Sequence, residues 1–263
     1  MGNVLVNETT LASIADAIRY KNGSTEKYKP IEMCDAVIDL NTGDSSVFVD
    51  GIIEGSYSGA IKSIKATKVR DWAFYEMRNI TSVDLPNATE VGECAFSSCS
   101  GLKTLNLPKV TKIGDYGIMS CTTLEELNIP EVVEIGECGV HVSPITSLYV
   151  PKLEVIGRSG MACLYKLTEL NLPSLKQING DDAFGDCEEL TEISFPKIES
   201  ITGTQIFLGC FKLETLTFES TPTSIDANAF TGSRLRRIFV PWSEGEVAGA
   251  PWGATEATIF YNS

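Results

Sequence analysis

The sequence predicts an α/β repeat fold: a solenoid of about eight stacked units, each about 22 residues long with one short parallel strand, capped at both ends and preceded by a small helical hairpin. Three observations predict it. A Leu-x-Leu-Pro phrase recurs with anchors at Pro86, Pro108, Pro130, Pro151, Pro173, Pro196, Glu219 and Pro241, spaced 22, 22, 21, 22, 23, 23 and 22 residues apart. Ahead of each anchor, apolar residues repeat in fixed columns. On either side of the repeats the composition changes, as solenoid ends require, because a bare end rung exposes strand edge and apolar side chains together.

Residues 1–42 read as a helical attachment segment. Thr9 or Thr10 serves as N-cap, Leu11, Ile14, Ala15 and Ile18 form an apolar stripe, and Gly23 stops the helix. A second helix begins near Pro30 and lines up Ile31, Cys34, Val37 and Ile38. Residues 43–65, with VFVDGIIEGSYSGAIKSI, read as a capping hairpin of strand, turn and strand. Residues 66–241 are the leucine-rich solenoid. Its columns run Leu102, Leu124, Ile145, Leu167, Leu190, Leu213; then Leu105, Leu127, Leu148, Leu170, Ile193, Leu216; then Leu107, Ile129, Val150, Leu172, Phe195, Phe218. The last two columns alternate with polar positions, the period of a half-buried strand. Proline cannot donate to a ladder and ends each strand. Phrases such as VGECAF and IDANAF follow, turning Ala95 with Phe96, Ala183 with Phe184 and Ala229 with Phe230 inward, with Ile118 and Val140 standing in for Phe in two units. Residues 242–263 read as a closing cap in which Trp242, Trp252 and Tyr261 cover the last apolar rung.

The chain has 263 residues, 21 Lys plus Arg against 35 Asp plus Glu, and a net charge of −14. That charge repels phosphate backbones and anionic lipid alike, so nucleic acid is excluded as a partner. No apolar run approaches the roughly 20 residues that span a bilayer, which excludes membrane insertion. No basic start and apolar core open the chain, which predicts cytoplasmic synthesis; a longer chain with a leader and an anchor would stand on the cell surface instead.

Chemistry is sparse. None of the eight cysteines forms a Cys-x-x-Cys pair. Cys99, Cys121, Cys187 and Cys210 share one repeat position and Cys94 and Cys138 another, which predicts reduced thiols packed as small apolar groups; Cys34 and Cys163 lie outside both columns. His141 is the only histidine, so no histidine pair holds zinc, and it lies in the least regular unit. Asp181, Asp182 and Asp186 gather where one unit gains a residue but do not match a calcium loop, and read as an exposed acidic turn. No catalytic residue, metal or cofactor is expected, and no strand interruption signals a cleft.

The pattern Ile-Gly-x-x-Ala-Phe-x-x-Cys-x-x-Leu-x-x-Leu-x-Leu-Pro resembles the BspA-like class of bacterial leucine-rich repeats over roughly residues 66 to 241. The segment LASIADAIRYKNGSTEKYKPIEMCDAVIDL resembles a short module that starts prophage-encoded tail-fibre-like proteins of Gram-positive gut bacteria. Together these resemblances imply a non-enzymatic recognition module whose solenoid contacts a protein or cell-surface glycan, as a phage tail-fibre-like component associated with a virion. The alternatives are a BspA-like adhesin for host matrix proteins and a glycan-active enzyme.

The polar face of the strands carries the expected ligand contacts. One outward column reads Asp84, Asn106, Asn128, Tyr149, Asn171, Ser194, Thr217, Phe239, and its neighbour Ser82, Thr104, Glu126, Ser147, Glu169, Glu192, Thr215, Arg237. Tyr149 is the expected centre, flanked by Asn128, Asn171, Glu126, Ser147 and Glu169. It points outward because Leu148 and Val150 fill core columns, it replaces an asparagine, and it lies in the shortest unit. Such a patch favours a partner with basic or hydroxyl-rich groups. Oligomeric state is left open.

Overall fold

The computed structural model describes residues 59–62 and 66–262. The helical pair expected over 1–42 and the first part of the capping hairpin lie outside the described residues.

The described chain is a stack of parallel coils about 22 residues apart, and no helix occurs among the described residues. Each coil turns three times, so the stack has three walls around one core. The front wall holds β1 (Gly59–Lys62), β2 (Ile80–Asp84), β4 (Thr104–Asn106), β7 (Glu126–Asn128), β10 (Ser147–Tyr149), β12 (Glu169–Asn171), β14 (Glu192–Phe195), β16 (Thr215–Phe218), β18 (Arg237–Val240) and β19 (Thr258–Tyr261). The eight from β2 to β18 are the strands that the alternating apolar phrase predicts, and they stop at or before the residue preceding the anchor, while β1 and β19 come from the segments read as caps.

The unit carries more strand than the expected single one. The phrase after each proline forms a second short strand: β3 (Glu90–Val91), β5 (Lys112–Ile113), β8 (Glu134–Ile135), β11 (Val155–Gly157), β13 (Gln177–Asn179), β15 (Ser200–Ile201) and β17 (Ser224–Ile225). These pair in parallel as one continuous seven-stranded sheet. The Ile or Val of each phrase enters the core while its neighbour faces water, so two residues suffice for the alternation.

The third wall is a stack of turns. In the rung of Phe96, Cys94 donates to Asp115 O at 2.9 Å, Phe96 to Gly117 O at 2.7 Å and Ser98 to Met119 O at 2.8 Å. Alternate N–H groups can all aim at the next rung because Cys94 (φ 51°) and Ser98 (φ 62°) are left-handed, reversing the chain on either side of the inward Phe. The same two positions are left-handed in successive rungs, at Tyr116 and Ser120, then Cys138 and Val142. Where β-branched Ile118 and Val140 replace Phe, the wall straightens into a strand pair, β6 (Ile118–Met119) with β9 (Val140–His141).

Between the walls lie the leucine and isoleucine columns and an aromatic stack. Phe74 stacks on Phe96 at 5.0 Å, and Phe184, Phe207 and Phe230 stack at 5.7 and 6.0 Å. Fully burying one such side chain contributes about 1.5–3 kcal/mol, so stacking identical rungs makes the core additive. At the C-terminal end Trp252, fully buried, meets Phe230 edge-on at 6.1 Å and Trp242 at 6.3 Å. Tyr261 is only half-buried: it belongs to β19, which pairs with β18 and adds one more rung to the front wall.

Candidate functional site

The front wall is not one sheet. Its ladder is broken between β7 and β10 and again between β12 and β14, leaving sheets of four, two and four strands. At the first break the corner ahead of β10 is one residue short. Cys99 to Leu102 and Cys121 to Leu124 are three residues apart, whereas Ser143 to Ile145 is two, and the residue between is Pro144, which has no N–H to give. The second break falls where the spacing lengthens from 22 (Tyr149 to Asn171) to 23 (Asn171 to Ser194). Length alone does not open the ladder, because Ser194 to Thr217 is also 23 and β14 pairs with β16 along four residues.

Each break is a groove. Glu125, Glu126, Asn128, Thr146 and Ser147 help line one of about 550 Å³. Glu169, Asn171, Glu189, Glu192 and Ser194 help line one of about 720 Å³. The leucines beneath confirm the splay: Leu127, Leu148 and Leu170 are 8, 7 and 8% exposed, against 1, 3 and 0% for Leu105, Ile193 and Leu216 in the same column. The expectation of an uninterrupted face without a cleft is therefore corrected, since alternation is kept while register across the break is lost.

Tyr149 stands on the two-stranded island between the grooves, 72% exposed. The island brings four of the expected residues together, pairing Ser147 with Glu169 and Tyr149 with Asn171. Glu126 and Asn128 face them across the first break, both exposed. Asn128 also ends a side-chain ladder. Lys62 pairs with Asp84 at 2.8 Å, Asn106 Nδ2 donates to Asp84 Oδ1 at 2.7 Å, and Asn128 Nδ2 donates to Asn106 Oδ1 at 2.6 Å. The hydrogen bonds from Lys62 and Asn106 hold the Asp84 carboxyl below its ordinary range.

Sequence reasoning missed three contributors. Lys62 anchors the ladder from a strand read only as part of a cap. Phe260 extends the Phe239 column and stacks on it at 4.8 Å, and the match of RIFV to TIFY, 21 residues on, carried that signal. Pro144 shortens the corner.

On the third wall His141, Cys163 and Asp186 come near one another. Burial pushes the His141 imidazole down. Burial and the Asp186 carboxylate, 3.8 Å from the thiol, push Cys163 up to about 11, the opposite of what a nucleophile needs. Asp181 accepts from Thr204 N and Oγ1 at 2.8 Å, so it ties the turn, while Asp182 and Asp186 occupy left-handed positions. Among the described residues no three His, Cys, Asp or Glu side chains are grouped to hold a metal. The seven described cysteines are free, and Cys34 lies outside the described residues. Cys138 and Cys163 are only half-buried, unlike the four-member column. No helix among the described residues is long and apolar enough to cross a membrane.

Several solved structures are similar. A Treponema pallidum leucine-rich repeat protein is 22% identical, covering 68% of this chain and 83% of that one with a TM-score of 0.44. A leucine-rich repeat protein from Bacteroides ovatus is 12% identical over 79% of this chain and 84% of that one, TM-score 0.36. An internalin from Listeria monocytogenes is 13% identical over 96% of both, TM-score 0.31. Comparison with curated proteins finds no match. The family model described as the BspA type leucine rich repeat region matches residues 59–162 and 154–247. Those spans cover more than half of the sequence, and the chain belongs to the BspA-type leucine-rich repeat family.

Proposed function

We propose that the chain is a non-enzymatic recognition module that binds a protein or cell-surface glycan on its front wall, with Tyr149 as the anchor. One observation carries this: a ring 72% exposed, carried on a two-stranded island, with a groove on either side. An amphipathic ring offers a large contact area with only two side-chain torsions to fix on binding and is the residue type that dominates interface energies. The repeat family, whose members typically serve as binding or adhesion modules, supports the same reading. The resemblance of the N-terminal segment to tail-fibre-like modules supports a place in a phage-derived assembly; labelling of the cell envelope rather than phage particles by an antibody to the chain would favour an adhesin.

The test is a screen on immobilised surface glycans and surface proteins with the parent chain, Tyr149→Ala, and Thr122→Ala as a control exposed away from the front wall. A true anchor loses about 2 kcal/mol of binding on truncation. A ligand held equally by all three chains would remove Tyr149 as the anchor.

A further inference from the structure

The amide ladder has a direction, and the direction follows from chemistry alone. Asp84, paired to Lys62, offers only acceptor oxygens. Asn106 must therefore turn its Nδ2 toward Asp84 and its Oδ1 toward Asn128, which in turn must present Nδ2 to Asn106. The ladder thus ends on Asn128 Oδ1, an acceptor turned away from Asn106. The next column residue, Tyr149, has no amide to continue it.

We propose that this open end receives a donor-only cation: the ammonium of a lysine or the guanidinium of an arginine on a partner polypeptide. The inference rests on the front-wall reading and specifies its partner. Three features converge. Asn128 Oδ1 accepts. Glu126, two residues earlier on the same face, and Glu125 line the same groove, and no lysine or arginine lines it. Across the break, Tyr149 offers the negative face of an exposed ring, on which a cation is attracted within about 6 Å of the centroid. A sugar hydroxyl also donates to these acceptors, but it brings no positive charge to the two carboxylates, and charge-assisted hydrogen bonds are the stronger ones.

The experiment uses the full chain and three probes: an acetylated, amidated tetra-arginine peptide, the same peptide with citrulline, which keeps the shape and removes the charge, and cellotetraose. Calorimetry gives affinity and amide NMR gives location. Tetra-arginine should bind and perturb Glu126, Asn128 and Tyr149, and tetra-citrulline should not bind. Glu126→Gln and Asn128→Ala should each weaken binding about five-fold or more, and Glu256→Gln, an identical charge change on a distant exposed residue, less than about two-fold. Equal losses from Glu126→Gln and Glu256→Gln would mean general attraction to an acidic protein and would overturn the proposal, as would equal binding of citrulline. Cellotetraose binding that depends on Tyr149, without arginine binding, overturns the cation and leaves the front-wall reading standing. Probe shifts confined to other walls overturn both.

Discussion

The Cys121 thiol donates to the carbonyl of Phe96, one rung back, at 3.2 Å. Cys99, Cys187 and Cys210 make the same bond to Phe74, Met161 and Phe184. Ser143 and Ser233 stand at this repeat position in other rungs, and their buried hydroxyls find no partner. A sulfur reaches where the shorter hydroxyl does not. Burial lifts the Cys121 thiol to about 12, so it stays protonated and donating. Cys121→Ser should therefore destabilise by about 1–3 kcal/mol, because a buried hydroxyl without a partner keeps its desolvation penalty. Thermal denaturation of the two proteins measures this, and an unchanged melting temperature would show the hydroxyl reaching the carbonyl after all.

The C-terminal end depends on Trp252, which closes the Phe184, Phe207 and Phe230 stack and donates its Nε1–H to Ala248 O at 2.8 Å. Trp252→Ala should lose about 3–5 kcal/mol in denaturant unfolding. Truncation after Pro241 also removes β19 and leaves β18 as a bare edge over apolar side chains, and should give a soluble aggregate in size-exclusion chromatography. A monodisperse, folded truncated chain would contradict the role of the cap.

Val142 has φ 56°, a left-handed conformation that its rungwise counterparts fill with Ser98, Ser120, Cys163, Asp186 and Gly209. A β-branched residue is the least suited to it. Val142→Asn should stabilise the fold by about 0.5–1 kcal/mol, since asparagine tolerates this conformation with less strain. A lower melting temperature for Val142→Asn would show that the valine methyls contribute more in packing than the backbone loses in strain.

Asp84 sets a pH dependence. Its folded pKa is lowered, first by Lys62 and then by Asn106, so its contribution is present above its ordinary value of 3.8 and is lost as pH falls through the folded value. Parent and Asp84→Asn should differ in melting temperature at pH 6, and the gap should close as the pH falls below 3.8. A gap that persists unchanged at low pH would separate Asp84 from the ladder.

The sequence by itself determined the solenoid. A phrase repeated every 22 residues places the same apolar side chain at the same angle on each coil, and Leu105, Leu127 and Leu148 have nowhere to go but onto one another. Outward direction was equally legible, for Tyr149 between Leu148 and Val150 can only face water. What the tertiary structure decided lies between coils rather than along them. The missing residue at Pro144 is visible in the text, but its effect, a ladder that β7 and β10 do not complete, depends on how far one rung sits from the next. That Lys62 closes one end of the Asp84, Asn106 and Asn128 ladder depends on a strand 22 residues earlier stacking in register. The nearness of His141, Cys163 and Asp186 belongs to three separate rungs. Local pattern specifies which face a residue takes, because strand geometry alternates along the chain, whereas partners 20 or more residues away are chosen by the register in which the coils stack.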